Sequence, residues 1–194
     1  MSTRIFVEFS SNLARLNMSQ PIDPIKILVS ACLLGQRVRY DGGHSKNDAH
    51  WLARWRAQGR IVAFCPEVAG GLSTPRPPAQ IVDADGEAVL DGTARILTRD
   101  GEDVTEAFIT GARATLKVAQ DAAIRIAILK SKSPSCGSQR IYNTQLQPDG
   151  SSQSALVAGA GVTTALLRRH QIAVFNEHQL ELAQQHLDAL VGAL

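Results

Sequence analysis

The chain has 194 residues, of which 44% are hydrophobic and 20% charged, and its formal net charge is +2. This length suits one sizeable domain, and the composition is that of an ordinary globular protein. This net charge is too small to indicate, by itself, a nucleic acid or a membrane surface as partner. No apolar run is long enough to span a membrane.

Residues 1–20 are polar and weakly patterned, and Met18 stands just before the first convincing strand. We therefore expect an N-terminal extension without a functional role, followed by a single domain over residues 21–194. A short amphipathic interaction segment is the alternative for the extension. Because this segment lacks the long apolar stretch of a signal peptide, we expect a cytoplasmic protein whose cysteines are reduced.

Short aliphatic runs predict strands at Lys26–Ser30, Arg60–Phe64, Ile124–Leu129 and Ile172–Phe175. Helical patterns lie between and after them, from Ser45 or Asn47 to Gln58, from Asp103 to Gln120, from Gly159 to Arg169 and from His178 to Leu194. The alternating segment from Ile81 to Thr98, with two Asp-Gly pairs, predicts a small β-hairpin excursion, and a polar stretch runs from Gln139 to Ser154. This order predicts a Rossmann-like α/β fold, in which helices cover both faces of a mostly parallel sheet.

Three cysteines, Cys32, Cys65 and Cys136, each follow a different predicted strand. The loops at the carboxyl ends of parallel strands gather at one edge, where ligands bind, so the three thiols are expected in one crevice. Three thiolates suit a zinc ion with one open position or an iron–sulfur cluster with one iron not held by the protein. The alternative is three unrelated core cysteines, although the "KSKSPSCGS" loop around Cys136 is too polar for a core.

Polar residues next to the cysteines are candidates for chemistry. Glu67 comes two residues after the second cysteine and could hold or move a proton near neutral pH, or it could cap a loop or pair with Arg76. The hydroxyls of Ser131, Ser133 and Ser135 surround the third cysteine. They could bind a small polar substrate or cluster sulfurs, or they could cap a turn.

Four separated motifs resemble a known family. They are "KILVSACLLGQRVRYDGG", "FCPEVAGGLSTPRPPAQI", "KSKSPSCGSQRIY" and "GAGVTTALLRRHQIAVFNE", which occur in the family's order over about residues 26–177. The family was long described as domain of unknown function number 523, and its characterised members are thiouracil desulfidases.

The resemblance implies a 4Fe–4S cluster that is held by Cys32, Cys65 and Cys136, with its fourth iron free of protein. It also implies removal of sulfur from 2-thiouracil or a related thiolated heterocycle, which gives uracil or the corresponding oxo compound and hydrogen sulfide. The cluster would act as a Lewis acid without net redox change. The implied partner is a small thiolated nucleobase, and the resemblance carries no expectation about the oligomeric state.

Two site residues follow from the same resemblance. Glu67 would be the acid/base that activates water or protonates the substrate, and a serine of "SPSC" would contact the substrate, for which we choose Ser133 over Ser135. The segment after "IY" is more polar than in the family and could line the pocket, which leaves the exact substrate open. The competing interpretations are a cluster-bearing sulfur carrier and a non-enzymatic zinc or redox-sensing module.

Overall fold

The structure is a computed structural model that describes residues 24–147, 149 and 151–193. The predicted extension over residues 1–20 lies outside this part of the chain. The strands are β1 (Ile27–Ser30), β2 (Ile61–Phe64), β3 (Ala79–Val82), β4 (Ile96–Thr98), β5 (Ile126–Leu129), β6 (Arg140–Leu146), β7 (Ser152–Ala158) and β8 (Ala173–Asn176). The helices are α1 (His50–Ala57), α2 (Pro66–Ala69), α3 (Gly86–Leu90), α4 (Thr105–Asp121), α5 (Val162–Arg169) and α6 (Leu180–Gly192).

Four strands form a wholly parallel sheet in the order β2-β1-β5-β8. Its central strands β1 and β5 are buried along their whole length, as their continuous aliphatic sequences require. Ile27 and Val29 pack with α1 and α6 on one face, whereas Leu28 and Ala127 pack with α4 and α5 on the other. The predicted α/β fold with helices on both faces of a parallel sheet is therefore confirmed.

The chain leaves β1 for β2 on one side of the sheet and later returns to β5 on the other side of β1. The connections after β1 and β5 therefore run in opposite directions, which opens a crevice at their carboxyl ends. This switch point is the position of the candidate site.

A second four-stranded sheet, in the order β4-β3-β6-β7, stands beside the first. The pair of β3 and β4 is antiparallel, as the predicted hairpin requires, but α3 interrupts the connection. The Asp85 carboxylate accepts hydrogen bonds from the backbone amides of Glu87 and Ala88, so the first Asp-Gly pair caps a helix instead of forming a turn.

The polar stretch from Gln139 to Ser154 largely forms a hairpin of β6 and β7. These polar residues are part of a sheet because β6 pairs in parallel with β3, and the side chains of Ile141 and Asn143 are buried there. This pairing joins segments about sixty residues apart in the chain, and no local sequence pattern predicts it.

All four predicted helix starts lie too early, and α4 begins at Thr105 and α5 at Val162 instead of at Asp103 and Gly159. Helix α1 begins at His50, because the side chain of Asn47 accepts a hydrogen bond from the amide of Ala49 and forms a turn before the helix. Helix α6 begins at Leu180, two residues after the predicted His178.

Within the described ranges, none of the helices combines the length and apolarity that crossing a membrane requires.

Candidate functional site

A cavity of about 540 Å³ opens between the carboxyl end of the parallel sheet and the strands β3 and β6. Its wall includes the side chains of Cys32, Cys65 and Cys136, together with Glu67 and Ser133. The three cysteines, Glu67 and Ser133 therefore share one cavity at the switch point of the sheet.

Each cysteine is positioned by a different strand. Cys32 lies in a short 3₁₀ turn directly after β1, and Cys65 lies between the end of β2 and the start of α2. Cys136 lies in the loop after β5, where its sulfur is 3.7 Å from the hydroxyl oxygen of Ser30 at the end of β1. Cys32 and Cys136 are buried and Cys65 is half-buried, and none of the three is in a disulfide.

Burial makes a thiolate unfavourable at all three positions. It raises the pKa of Cys32 to about 11, with the neighbouring Cys65 as the next cause. Burial also raises the pKa of Cys65, and it raises that of Cys136 well above its ordinary value. Buried thiols of this kind become thiolates when a positively charged metal centre compensates the charge.

The chemistry of these donors indicates which metal centre they could hold. Among the residues that the structure describes, no three His, Cys, Asp or Glu side chains come close enough together to hold a single metal ion. Three thiols on the wall of one cavity are soft donors, and iron–sulfur clusters take thiolate ligands of this kind. The residues present therefore fit an iron–sulfur cluster.

Glu67 faces the same cavity from the first turn of α2. Its Oε2 accepts hydrogen bonds from Nε and Nη2 of Arg76, at 3.1 and 2.5 Å. Its Oε1 accepts a hydrogen bond from the hydroxyl of Ser133 at 3.3 Å. The pairing with Arg76 that the sequence left open is thus present, and it occurs inside the cavity.

The candidate serines Ser133 and Ser135 of the "KSKSPSCGS" loop differ in their surroundings. The Ser133 hydroxyl oxygen accepts hydrogen bonds from the amides of Ser135 and Cys136, so it shapes the turn while it also lines the cavity. Ser135 is buried and bonds to Thr163 of α5 at 2.9 Å, outside the cavity wall. Of the two serines of "SPSC", only Ser133 is placed where it faces the cavity.

Sequence considerations missed an ion pair between Lys130, which lines the cavity, and Glu177 behind it. Nζ of Lys130 lies 2.5 Å from Oε1 of Glu177, and the hydroxyl of Ser131 donates to the same oxygen at 2.7 Å. Glu177 directly follows β8, so it occupies a strand end just as the cysteines do. That position is the signal in the sequence that could have identified it.

The comparisons with known proteins agree with this geometry. Residues 27–179 match the model of the family described as 2-thiouracil desulfurase. An uncharacterised protein of Bacillus subtilis (strain 168), YbbK, is 44% identical over 154 residues, which are 79% of this chain and 97% of that protein.

A solved structure is also similar. It is the [4Fe-4S]-dependent thiouracil desulfidase TudS, which is 50% identical to this chain and superposes with a TM-score of 0.72. The match covers 85% of this chain and 99% of TudS. The matched region spans both sheets and the whole cavity wall, and on this evidence the chain belongs to the 2-thiouracil desulfurase family of enzymes.

Proposed function

We propose that this chain is a 4Fe–4S-dependent desulfidase that converts 2-thiouracil, or a related thiolated pyrimidine or heterocycle, to the oxo compound and hydrogen sulfide. The observation that carries the proposal is the meeting of three cysteines from three strand ends with Glu67 in one cavity. The similarity to a [4Fe-4S]-dependent thiouracil desulfidase supports it.

In this proposal Cys32, Cys65 and Cys136 hold the cluster through their thiolates. When bound, the cluster supplies a Lewis acid with one iron that the protein does not hold. The cavity is large enough for a small heterocycle beside these ligands, and its wall is partly apolar, with Phe64 and Phe108. Such a wall favours a flat, weakly polar ring over a hydrated anion.

Glu67 is the proposed base. Arg76 occupies Oε2, so Oε1 is the atom that faces the cavity with a lone pair left for a water molecule. As a carbon–oxygen bond forms and the carbon–sulfur bond breaks, a proton passes from that water to Oε1 of Glu67 and then to the departing sulfur. Water thus supplies the oxygen of the product and the hydrogens of hydrogen sulfide, and the reaction transfers no net electrons.

Ser133 is proposed to orient Glu67 and to contact the substrate from the cavity wall. Its hydroxyl oxygen already accepts two backbone amide hydrogen bonds, so it is held in place before a substrate arrives. Its proton points to Oε1 of Glu67, and a substrate heteroatom within reach would compete for the same donor.

An anaerobic turnover assay tests the proposal. Protein reconstituted with iron and sulfide is expected to release hydrogen sulfide and uracil from 2-thiouracil in equal amounts without an added reductant. The same assay with free thiouracil separates a desulfidase from a sulfur carrier, because a carrier would stop after one equivalent of sulfide. Absence of repeated turnover would contradict the proposal.

A further inference from the structure

The strand β8 also delivers a side chain to the loop that carries Cys136. The carboxylate of Glu177 accepts hydrogen bonds from the amide of Ser131 at 2.8 Å, from its hydroxyl at 2.7 Å and from Nζ of Lys130 at 2.5 Å. The Glu177 side chain is only 8% exposed. Three donors therefore converge on one buried carboxylate, which satisfies most of its acceptor positions.

This arrangement keeps Glu177 ionised. Burial alone would raise the pKa of Glu177, but the hydrogen bonds from Lys130 and Ser131 outweigh it and lower the pKa below its ordinary value. A buried carboxylate with a lysine partner is costly to disturb, because removal of either member leaves the other charge without compensation.

The same loop is held from the opposite side by β1. The amide of Lys130 donates to the hydroxyl oxygen of Ser30 at 3.0 Å, and that hydroxyl faces the sulfur of Cys136 at 3.7 Å. The backbone amides of Lys130 and Ser131 thus donate to side chains from the two strands beside β5, Ser30 of β1 and Glu177 after β8. The start of the Cys136 loop has little freedom as long as both contacts persist.

Lys130 takes part in these loop contacts and also reaches the cavity. Its side chain lines the cavity wall together with Cys32. The Lys130–Glu177 pair therefore places its positive member at the wall of the cavity that our proposed function assigns to the cluster.

We propose that Lys130 and Glu177 are a positioning pair, which anchors the loop of Cys136 and sets the net charge beside the cluster. This inference rests on the proposed function for the cluster, and neither residue is assigned a contact with the substrate. Because the pair is neutral as a whole, loss of one member changes the charge beside the cluster, whereas loss of both restores neutrality.

The test is the reduction potential of the cluster in anaerobically reconstituted protein, followed by electron paramagnetic resonance. Reduction adds an electron, so removal of a nearby positive charge lowers the potential and removal of a nearby negative charge raises it. We expect Lys130→Met to lower the potential, Glu177→Gln to raise it, and the double variant to lie nearer the wild type than either single variant. A structural disturbance alone would not produce shifts of opposite sign.

The control pair is Lys117 and Asp121, an exposed i,i+4 ion pair on α4. Lys117→Met and Asp121→Asn make the same charge changes and should leave the potential unchanged. Potentials that move in the same direction, or not at all, in the Lys130 and Glu177 variants would overturn the inference. Repeated turnover of 2-thiouracil by the wild type would still uphold the proposed function.

Amide hydrogen exchange tests the anchoring role even when a variant, or the wild type, binds no cluster. In the metal-free full chain, we expect the Ser131 amide to exchange its hydrogen about tenfold faster in Glu177→Gln than in the wild type. Unchanged exchange would overturn the anchoring role. If the wild type binds no cluster, but the Ser131 amide still exchanges faster in Glu177→Gln than in the wild type, the proposed function is contradicted and the anchoring role stands.

Discussion

Arg76 fixes one oxygen of the Glu67 carboxylate through two nitrogen atoms, and both side chains are largely buried, with exposed fractions of 7% and 18%. The same guanidinium donates to the carbonyl oxygens of Val38 and Ser73. It therefore ties the loop after Cys32 to the helix that carries Glu67. These contacts hold the carboxylate with Oε1 directed to Ser133 and the cavity.

Replacement of Glu67 by Gln should leave the cluster in place and abolish turnover. The amide has nearly the same shape but cannot take a proton from water, and loss of a general base costs about 10²- to 10⁴-fold in kcat. The measurement is kcat for 2-thiouracil together with iron per chain. Glu106→Gln, at an exposed position on α4, is the matched control and should behave as wild type. Glu67→Gln with normal turnover would remove Glu67 from the mechanism.

Arg76→Lys keeps the positive charge but loses the two-nitrogen contact with Glu67. We expect the free energy of unfolding to fall by about 2 kcal/mol, because charged hydrogen bonds in a buried setting are lost. Turnover should also fall, since the carboxylate is no longer held. Urea unfolding and kcat check this, with Arg113→Lys in an exposed pair as the control. Equal effects of the two substitutions would show that the Arg76 contact has no special role.

Gly111 is where α4 comes close to α2, the helix of Glu67. A Cβ atom at Gly111 would lie 2.0 Å from the carbonyl oxygen of Pro66. We expect Gly111→Ala to lower the free energy of unfolding by about 1–3 kcal/mol, although alanine favours a helix more than glycine does.

The control is Gly192→Ala at the end of α6, where a Cβ atom would meet no described heavy atom within 4 Å. Thermal unfolding of this variant should match the wild type or lie slightly above it. A Gly111→Ala protein as stable as the wild type would mean that the two helices separate without cost.

The thiol of Cys32 gives a pH-dependent signal in metal-free protein. Its pKa is raised from 9.0 to about 11, chiefly by burial and next by Cys65. Because the thiolate is the reactive form, alkylation of Cys32 by iodoacetamide should become about tenfold faster with each pH unit up to pH 11. A plateau near pH 9 in the mass-spectrometric rates would contradict this.

The same shift predicts the pH dependence of stability. A raised pKa in the folded state means that folding favours the protonated thiol. The contribution of Cys32 to the free energy of unfolding is therefore complete below pH 9 and lost as the pH rises from 9 to 11. Urea unfolding of metal-free wild type and Cys32→Ser over this range measures the difference, which should diminish with rising pH. A difference that stays constant would contradict the assignment.

The parallel sheet could be predicted because its strands are short aliphatic runs such as Ile126–Leu129, and burial on both faces leaves a continuous apolar signal. The gathering of cysteines at one edge followed from topology, since every parallel strand ends on the same side. The hairpin of β6 and β7 was not predictable in this way. Its place in the second sheet depends on pairing with β3, so Asn143 and Thr144 carry no local strand signal.

The contacts within the site were even less predictable. Ser131 and Glu177 are 46 residues apart, and their hydrogen bonds arise only because β5 and β8 are neighbours in the sheet. The different surroundings of Ser133 and Ser135 likewise depend on Thr163 of α5, which removes Ser135 from the cavity. The sequence predicted which loops meet, and the structure adds which atoms meet within them.

We propose that Cys32, Cys65 and Cys136 together hold one iron–sulfur cluster in this cavity. Quantification of iron and acid-labile sulfide in anaerobically reconstituted protein tests it most directly. We expect about four iron and four sulfide ions per chain in the wild type, and a loss of most of both in each single Cys→Ser variant. Zinc without acid-labile sulfide in the wild type, or an unchanged iron and sulfide content in the three variants, would contradict it.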